Sequence, residues 1–348
     1  MKSNRKINIK RVFMLALLFV AAVVSSVAVL FGLYDKESVN ASEENTGRET
    51  VTQTETAIRN ASEPNDAEKW KEGIISYNGA DYRYRSRLKN YLIMGIDNDG
   101  VAEEAPDGLS GGQSDAMFLV SLDTAGKSVK VIAINRNTMV PVDIYDENGE
   151  YLGRMDLQIC LQHGYGDGMK LSCTRSVEAV ERLFDNIPIS GYIALNMGGI
   201  ENLNDAIGGV TLTPEQDVVY DGLRINKGEE ITLNGKQAYA FLRARDIDQF
   251  GSADMRLERH MQYITAFLKK LMNDTGKATA VYEAVSDYMV TSVDLVKLIN
   301  STKDMSFSDE DMVTVKGETI LNGEYEEFHA DPKALRDVIM NVFYEEVK

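Results

Sequence analysis

The chain is poor in positive charge, and this scarcity excludes the function classes that depend on a basic surface. Its 37 lysines and arginines are outnumbered by 54 aspartates and glutamates, which gives a formal net charge of -17. Neutralising the phosphates of a nucleic acid needs a broad positive face, so the composition argues against DNA or RNA as a partner. It argues equally against strong electrostatic adhesion to anionic lipid.

Cysteine and histidine are also scarce. His163, His260 and His329 show no metal-ligand spacing with each other or with the two cysteines, so these residue types indicate no metal site. If the chain is exported, a disulfide between Cys160 and Cys173 is favoured, because oxidising compartments preserve such bonds. Free thiols stay open as the alternative, since the distance between the two residues cannot be judged from sequence.

One long apolar run near the N-terminus predicts the topology. Residues 1–11 carry five basic and no acidic side chains, and residues 12–34 are 23 positions without charge. At about 1.5 Å per residue, such a helix spans a hydrocarbon core of about 30 Å. Because basic residues stay on the cytoplasmic side, we predict a single-pass signal anchor in the cell membrane with a cytoplasmic N-terminal tail. A cleaved signal peptide is the alternative, but its apolar region would be shorter.

Everything after the anchor is predicted to be extracytoplasmic. Residues 35–69 are rich in polar residues and poor in aromatics, which predicts a disordered tether. Residues 70–348 are enough for one large domain. Within it, apolar strand-like runs alternate with amphipathic helices, one of them with Thr174 as its N-cap. This alternation predicts an α/β fold, a layered α/β/α sandwich with a central mixed sheet. The part after about residue 275 carries no recognisable motif.

Five arginines are gathered in a chain that otherwise repels anions. Arg256 and Arg259 are three apart on a predicted helix and share a face. Arg243 and Arg245 point the same way if their segment is extended. Arg136 ends an apolar strand, where α/β sheets place ligand groups. Since guanidinium forks two hydrogen bonds onto phosphate oxygens, the set predicts a local anion site. The alternative is a solvated surface of ion pairs with neighbouring carboxylates.

Two aspartates at the edges of predicted buried strands complement these arginines. Asp97 follows NYLIMGI, and Asp115 precedes AMFLVSLD. Magnesium commonly takes one or two carboxylates and completes its shell with water and phosphate oxygens, so the pair predicts a Mg²⁺-bound diphosphate. The alternative is that both are ordinary turn or cap residues. The glycine-rich stretch 97–114 between them lacks the Gly-Lys-Ser/Thr ending of a P-loop and is interpreted as a rim or lid.

Several of these segments, in order, resemble the blocks of the LytR–CpsA–Psr family. They are NYLIMGID, GGQSDAMFLVSLD, VIAINRNTMVPV, NDAIGGV, LNGKQAYAFLRAR and MRLERHMQ, within residues 88–272. The resemblance implies a membrane-anchored extracytoplasmic enzyme that moves a glycopolymer, such as teichoic acid or capsule, from a polyprenyl-pyrophosphate carrier to a peptidoglycan hydroxyl. A polyprenyl-pyrophosphate pyrophosphatase and a non-catalytic carrier-binding regulator remain as alternatives.

The resemblance also implies roles for individual residues. Metal binding is expected from Asp97 and Asp115. Catalysis is expected from Arg136, Arg243, Arg245 and Asp115. Pyrophosphate binding is expected from Arg136, Arg243, Arg245, Arg256, Arg259, Gln113 and His260.

The chain departs from the family pattern at several of these places. Gln113 stands where an arginine is usual, which removes one cation. The Pro-Arg-Asp block is changed to Asn135-Arg136-Asn137. Ala253 replaces an acid that is a candidate base, although Asp254 is adjacent. His260 replaces the usual glutamine, and an ordinary surface position on the helix is its alternative role.

Overall fold

The computed structural model describes residues 73–105, 108–246 and 249–347 of the chain. They belong to the unit Asn65–Lys348, one of two into which the chain divides. The predicted tail, anchor and tether, residues 1–69, lie outside the described residues. Among the residues that are described, no helix combines the length and the apolar character needed to cross a membrane. The anchor at residues 12–34 therefore stays a prediction.

The strands form one central sheet and several smaller ribbons. In chain order they are β1 Ile74–Tyr77, β2 Ala80–Tyr84, β3 Leu88–Ile96, β4 Ser114–Asp123, β5 Ser128–Ile134, β6 Met139–Tyr145, β7 Tyr151–Gln158, β8 Gly191–Asn196, β9 Val210–Leu212, β10 Val218–Tyr220, β11 Leu223–Ile225, β12 Ile231–Leu233, β13 Met289–Thr291, β14 Met312–Thr314, β15 Gly317–Asn322, β16 Tyr325–Ala330 and β17 Tyr344–Glu346. The central sheet has the order β13-β8-β3-β4-β5-β14. It is mixed, because β3 runs parallel to β8 but antiparallel to β4. The predicted mixed sheet is confirmed.

Helices cover both faces of this sheet. They are α1 Lys170–Leu183, α2 Ile200–Ala206, α3 Gly235–Arg243, α4 Ser252–Asn273, α5 Ala278–Val285, α6 Leu295–Ser301 and α7 Pro332–Phe343. Alternate residues of a strand point to opposite faces. Leu92 and Met94 of β3 pack in a core with residues of α1 and α7, whereas Tyr91 and Ile93 pack in a cluster with residues of α4. The molecule is thus layered helix, sheet, helix, as the alternating sequence pattern predicts.

The start of α1 differs from the prediction. The helix begins at Lys170, and the hydroxyl of Thr174 donates a hydrogen bond to the Lys170 carbonyl from inside the first turn. The Asp167 carboxylate instead accepts hydrogen bonds from the backbone N–H groups of Met169, Leu171 and Ser172. Thr174 is therefore not the N-cap, because a carboxylate upstream of the apolar repeat satisfies the free N–H groups better than an internal hydroxyl.

A hairpin late in the chain is the main element that the sequence pattern did not indicate. Strands β15 and β16 pair antiparallel, and Gly323 in their turn has a φ of 62°. The hairpin is fixed to the neighbouring ribbon β6–β7. The N–H of Phe328 donates to the Asn137 carbonyl at 2.9 Å, and the Gln158 side chain donates to the Glu326 carbonyl at 2.6 Å. The C-terminal region thereby reaches the end of β5, where Arg136 lies.

Candidate active site

Arg136 is held at the C-terminal end of β5 by a tight turn. The hydroxyl of Thr138 donates to the Asn135 carbonyl at 2.6 Å, and the Asn135 side chain accepts from the Asn137 N–H at 2.8 Å. The Arg136 guanidinium donates to the Gln113 side-chain oxygen and lies with Nε 3.2 Å from Asp115 Oδ1. The departures at 135 and 137 thus preserve the position of Arg136 through amide hydrogen bonds.

Arg243 and Arg245 come from the end of α3. The helix begins with a capping box between Asn234 and Gln237, and Ala244 leaves it with an extended ψ of 128°. The Arg243 guanidinium forms an ion pair with Asp97 Oδ1. Arg245 donates through Nε to the Ser252 hydroxyl at 3.0 Å. The helix end followed by extended backbone therefore directs both arginines toward the edge of the sheet.

Arg256 approaches the same place from the first turns of α4. Its Nη1 lies 2.9 Å from Asp115 Oδ2, so one carboxylate stands between Arg136 and Arg256. Burial lowers the pKa of Arg256, Asp115 opposes this, and the nearby Arg136 and Arg245 lower the pKa further. The structure therefore brings four of the five predicted arginines together around Asp97, Asp115 and Gln113.

Unused hydrogen-bonding groups remain inside this cluster. Arg256 Nη2, Arg136 Nε and Asp115 Oδ1 are buried and have no hydrogen-bond partner among the described residues. Arg136 Nε and Asp115 Oδ1 are only 3.2 Å apart, so they attract as an ion pair without the alignment that a hydrogen bond requires. Buried donors that lack partners are uncommon in folded proteins. Here they can be satisfied by the oxygens of a bound anion.

Arg259 and His260 are placed differently from the other predicted ligands. Arg259 donates to the carbonyls of Phe241 and Ala244 and, at 2.8 Å, to the side chain of Gln216. His260 Nε2 lies 3.0 Å from the Leu242 carbonyl. These carbonyls stand at the end of α3, where a helix leaves acceptors without partners. The geometry gives both residues a positioning role. Direct binding of pyrophosphate by Arg259 or His260 remains a prediction, and the hydrogen bonds that these side chains already make do not favour it.

Burial keeps His260 neutral. Burial, helped by the positive charge of Arg256, lowers the pKa of the imidazole to about 3. The side chain is not on an exposed helix surface, so the alternative of an ordinary surface position is wrong. The neutral ring donates from Nε2 to Leu242 and adds no charge beside the arginines.

Two positions near the start of α4 were considered for an acid. One of them holds no acid, and the acid at the other has a structural role. Ala253 is buried and offers no carboxylate. Asp254 accepts from Asn135 Nδ2 at 2.5 Å and from the Thr319 hydroxyl at 2.8 Å. Asp254 therefore links α4 to β5 and to the hairpin, and it does not take over the role of the missing acid.

Asp97 and Asp115 are the carboxylates available to a divalent cation. Among the described residues, no group of three or more histidine, cysteine, aspartate or glutamate side chains could hold a metal ion. Two carboxylates suit Mg²⁺ when phosphate oxygens and water complete its shell. The buried Asp115 Oδ1, which lacks a hydrogen-bond donor, fits this requirement.

An apolar cavity of about 200 Å³ lies between the sheet and α4. Its walls include Tyr91 and Phe118 from the sheet and Ile264 and Leu268 from α4, and His260 stands among them. Because Leu242 and His260 also line it, the cavity adjoins the helix end that carries Arg243. The site thus combines a charged part and an apolar part.

Both cysteines are free and buried in this structure. Cys160 Sγ lies 3.1 Å from Arg136 Nη2, and Cys173 Sγ lies 3.8 Å from His163 Nε2. Burial raises the pKa of Cys173 to about 12, so it is a neutral thiol. The free-thiol alternative describes this structure, and the disulfide is not formed.

Sequence reasoning missed one acidic residue at the site. Glu326, on β16, has a side chain only 10% exposed, and its Oε2 lies 4.0 Å from Arg245 Nη2. Its Oε1 accepts from the Gly251 N–H at 2.6 Å. No local signal marks Glu326, because it sits in an acidic stretch of ordinary appearance more than 180 positions after Arg136.

Comparison with known proteins identifies related sequences. The sequence model described as the LytR_cpsA_psr family matches residues 47–340. The "polyisoprenyl-teichoic acid--peptidoglycan teichoic acid transferase TagU" of Bacillus cereus (strain AH820) is 31% identical over 186 residues, which are 53% of this chain and 54% of that protein. The protein of the same name from Enterococcus faecalis is 29% identical over 206 residues, 58% of this chain and 60% of that protein. The chain thus spans between half and two thirds of the length of these relatives.

Comparison with solved structures supports the fold. The crystal structure of B. subtilis TagV superposes with a TM-score of 0.59 at 22% sequence identity, covering 74% of this chain and 96% of that one. A likeness at this identity shows a shared architecture.

Proposed function

Since the chain belongs to the LytR–CpsA–Psr family, we propose that it transfers a glycopolymer from a polyprenyl-pyrophosphate carrier to a hydroxyl of peptidoglycan. The product is a phosphodiester that links the polymer to the cell wall. The names of the TagU relatives support this proposal. We also propose that residues 12–34 anchor the chain in the cell membrane, so that the site works on the extracytoplasmic side, where carrier and acceptor meet.

The convergence of four arginines is the observation that carries the proposal. Arg136, Arg243, Arg245 and Arg256 come from three separate segments of an acidic chain. Arg136, Arg243 and Arg256 pair with Asp115 or Asp97, and Arg245 lies close enough to Arg256 to lower its pKa. Within this cluster, buried guanidinium N–H groups of Arg136 and Arg256 have no hydrogen-bond partner among the described residues. A diphosphate supplies the oxygens that these donors lack.

The proposed reaction follows from this arrangement. An acceptor hydroxyl forms a bond to the phosphorus nearer the glycan, and the bond from that phosphorus to the bridging oxygen breaks. The electron pair leaves with polyprenyl phosphate. Arg136 and Arg256 bind non-bridging oxygens, and Arg243 and Arg245 stabilise the charge that develops on the leaving phosphate.

Magnesium is proposed as the partner of Asp97 and Asp115. When bound there, Mg²⁺ would neutralise phosphate charge and orient the diphosphate. Both carboxylates are paired with arginines in this structure, Asp97 with Arg243 and Asp115 with Arg136 and Arg256. If Mg²⁺ and a diphosphate bound together, Asp97 and Asp115 would hold the cation and the arginines would pair with phosphate oxygens instead.

The apolar cavity is proposed to hold the first isoprene units of the carrier. It adjoins Leu242, one residue before Arg243, and its lining is almost entirely apolar. Ile193 and Leu195 line it, whereas Val180 and Ile187 belong to the core on the other face of the sheet. A lipid tail beside the arginines would fix the orientation of the diphosphate.

The test uses the full-length chain in detergent with a polyprenyl-diphosphoryl glycan, peptidoglycan and Mg²⁺. Arg136→Ala and Arg243→Ala should each lower kcat by about 100-fold or more, because each removes a donor to the transition state. Arg224→Ala is the control, since Arg224 is exposed and pairs only with nearby polar groups. Wild-type turnover in both site variants would overturn the proposed site.

The same assay separates the other two functions. Release of the glycan phosphate into solution in the presence of peptidoglycan would identify a pyrophosphatase. Tight binding of the carrier with neither product would identify a regulator, which the neutral Gln113 and the missing acid at Ala253 would then explain.

A further inference from the structure

Beside the arginine cluster lies a groove of about 640 Å³ that is formed with the C-terminal hairpin. Its buried end is lined by Gln113, Arg136 and Arg245, with the Glu326 side chain beside Arg245, and its exposed outer part includes Phe250 and Tyr325. We call it the hairpin groove. The apolar cavity is lined by different residues, so the arginines have two distinct spaces beside them.

We propose that the hairpin groove binds the sugar backbone of the acceptor glycan strand, and that Glu326 takes the proton of the attacking hydroxyl. This inference rests on the proposed function and deepens it, because it assigns the second substrate and a base. It concerns the acceptor half of the reaction, whereas the arginines act on the donor.

The outer part of the groove has the chemistry of a carbohydrate site. Phe250 is 59% exposed and Tyr325 is 71% exposed, so two aromatic residues of the groove lining stand open to solvent. A pyranose ring presents C–H groups on its faces, which pack on aromatic rings, and hydroxyls along its edge. Glu324 adds a carboxylate acceptor to the same lining, and so does Glu327, although its two oxygens also contact Asn322 Nδ2 and His329 Nε2.

Charge decides which of the two substrates the groove receives. Glu324, Glu326 and Glu327 give the hairpin wall a negative character. A polymer that carries phosphates would be repelled there, whereas an uncharged sugar backbone donates hydroxyl hydrogens to carboxylates. The groove therefore suits the acceptor glycan and not the anionic donor polymer.

Glu326 is the carboxylate placed to receive a proton. Asp97 and Asp115 are paired with arginines, and Asp254 is bonded by Asn135 and Thr319. Glu326 is anchored through Oε1 by the Gly251 N–H at 2.6 Å. To the residues that the structure describes, its Oε2 makes long contacts, 3.4 Å to Asn137 Nδ2 and 4.0 Å to Arg245 Nη2, so it can accept a closer donor.

Glu326 also lies close to the position where the sequence lacks an expected acid. Gly251 lies two residues before Ala253, the place where an acid was expected. A carboxylate from the hairpin thus reaches the same turn at the start of α4 from a different part of the chain. In the transfer step, the hydroxyl oxygen bonds to phosphorus, its proton moves to Glu326 Oε2, and the bridging oxygen leaves with the electron pair of its broken bond.

Binding is tested with the full-length chain in detergent and soluble β-1,4-linked N-acetylglucosamine oligomers, which present the uncharged sugar backbone of a glycan strand without the lactyl carboxylates that removal of the peptides would expose. The double variant Phe250→Ala/Tyr325→Ala should weaken strand binding at least about tenfold, since hot-spot aromatics dominate such contacts. Tyr282→Ala, an exposed tyrosine on α5, is the matched control and should bind like the wild type. Wild-type binding by the double variant, or binding only of strands that keep their peptides, overturns the proposal.

The role of Glu326 is tested by kinetics. Glu326→Gln keeps an acceptor for Gly251, so thermal stability and binding of both substrates should be retained. Its kcat should fall by about 100-fold or more, as is usual for loss of a general base, and the acidic limb of the pH–rate profile should disappear. Glu326→Asp should recover part of the rate. An unchanged kcat in Glu326→Gln, or a change confined to KM, overturns the assignment.

The outcomes also separate this inference from the proposed function. Binding of a polyprenyl-diphosphoryl glycan is measured in parallel on every variant. If the wild type does not bind this donor, the proposed function fails whatever the groove binds. If donor binding and transfer are normal in the groove variants, the inference fails and the proposed function stands.

Discussion

The two faces of the central sheet are built differently. On the face covered by α1 and α7, Leu92 and Phe343 are fully buried in a continuous core. On the face covered by α4, the sheet and the helix enclose an apolar cavity of about 200 Å³. Close packing stabilises a fold, and a space with apolar walls leaves room for a ligand. One side of these strands is therefore filled, whereas the other side leaves the space in which we propose that the lipid carrier binds.

Two neighbouring residues of β3 provide the largest expected contrast. Leu92→Ala should lower the free energy of unfolding by about 3 kcal/mol, because it opens a void in a filled core. Ile93→Ala, on the cavity face, should lower it by only about 1 kcal/mol, because fewer contacts are removed. Urea denaturation of both variants measures the difference. Equal losses would show that the faces do not differ in packing.

His260 lies on the cavity face and makes the stability depend on pH. Its pKa is about 3 in the folded chain and 6.5 ordinarily, so unfolding takes up a proton between these values and stability is lost as pH falls from 6.5 toward 3. At pH 5 the loss should be about 2 kcal/mol, at 1.4 kcal/mol per pH unit.

The variant His260→Gln measures this contribution. Glutamine can donate to the Leu242 carbonyl but does not titrate, so the drop between pH 7.5 and pH 5 should shrink by that amount relative to the wild type. Denaturant unfolding at the two pH values gives the result. An identical drop in both proteins would mean that other groups cause the acid sensitivity.

Filling the cavity should produce the smallest change, and the change is in the free energy of ligand binding. Leu268→Trp on α4 should weaken binding of polyprenyl phosphate about tenfold, or 1.4 kcal/mol. It should leave the unfolding midpoint nearly unchanged, because the space to receive the ring is already present. Leu268→Met, which keeps the volume, is the control. Unaltered affinity with tryptophan present would remove the cavity from the proposed lipid site.

The strands and the placement of the first arginine could be predicted from sequence. Continuous apolar runs can form only buried strands in a layered fold, so NYLIMGI became β3, and Arg136 was expected at the end of β5. The charges flanking these runs were therefore expected at the edge of the sheet. Local sequence patterns are enough to predict these features because the features depend on residues that are neighbours in the chain.

The different roles of Arg256 and Arg259 could not be predicted in the same way. Their spacing predicts a shared helix face, but it does not say which groups lie opposite each residue. Carbonyls at the end of α3 accept hydrogen bonds from Arg259, whereas Asp115 forms an ion pair with Arg256. Glu326 was missed for a related reason, since its place depends on how a distant hairpin packs against β6 and β7.

The pairing of β17 with β2 joins the last strand of the domain to one of its first. Until Tyr344–Glu346 is in place, β2 keeps one side unpaired beside β1. An open edge of this kind recruits strands from other molecules. Truncation after Phe343 should therefore promote self-association through β2 while leaving the arginines, the cavity and Glu326 in the chain.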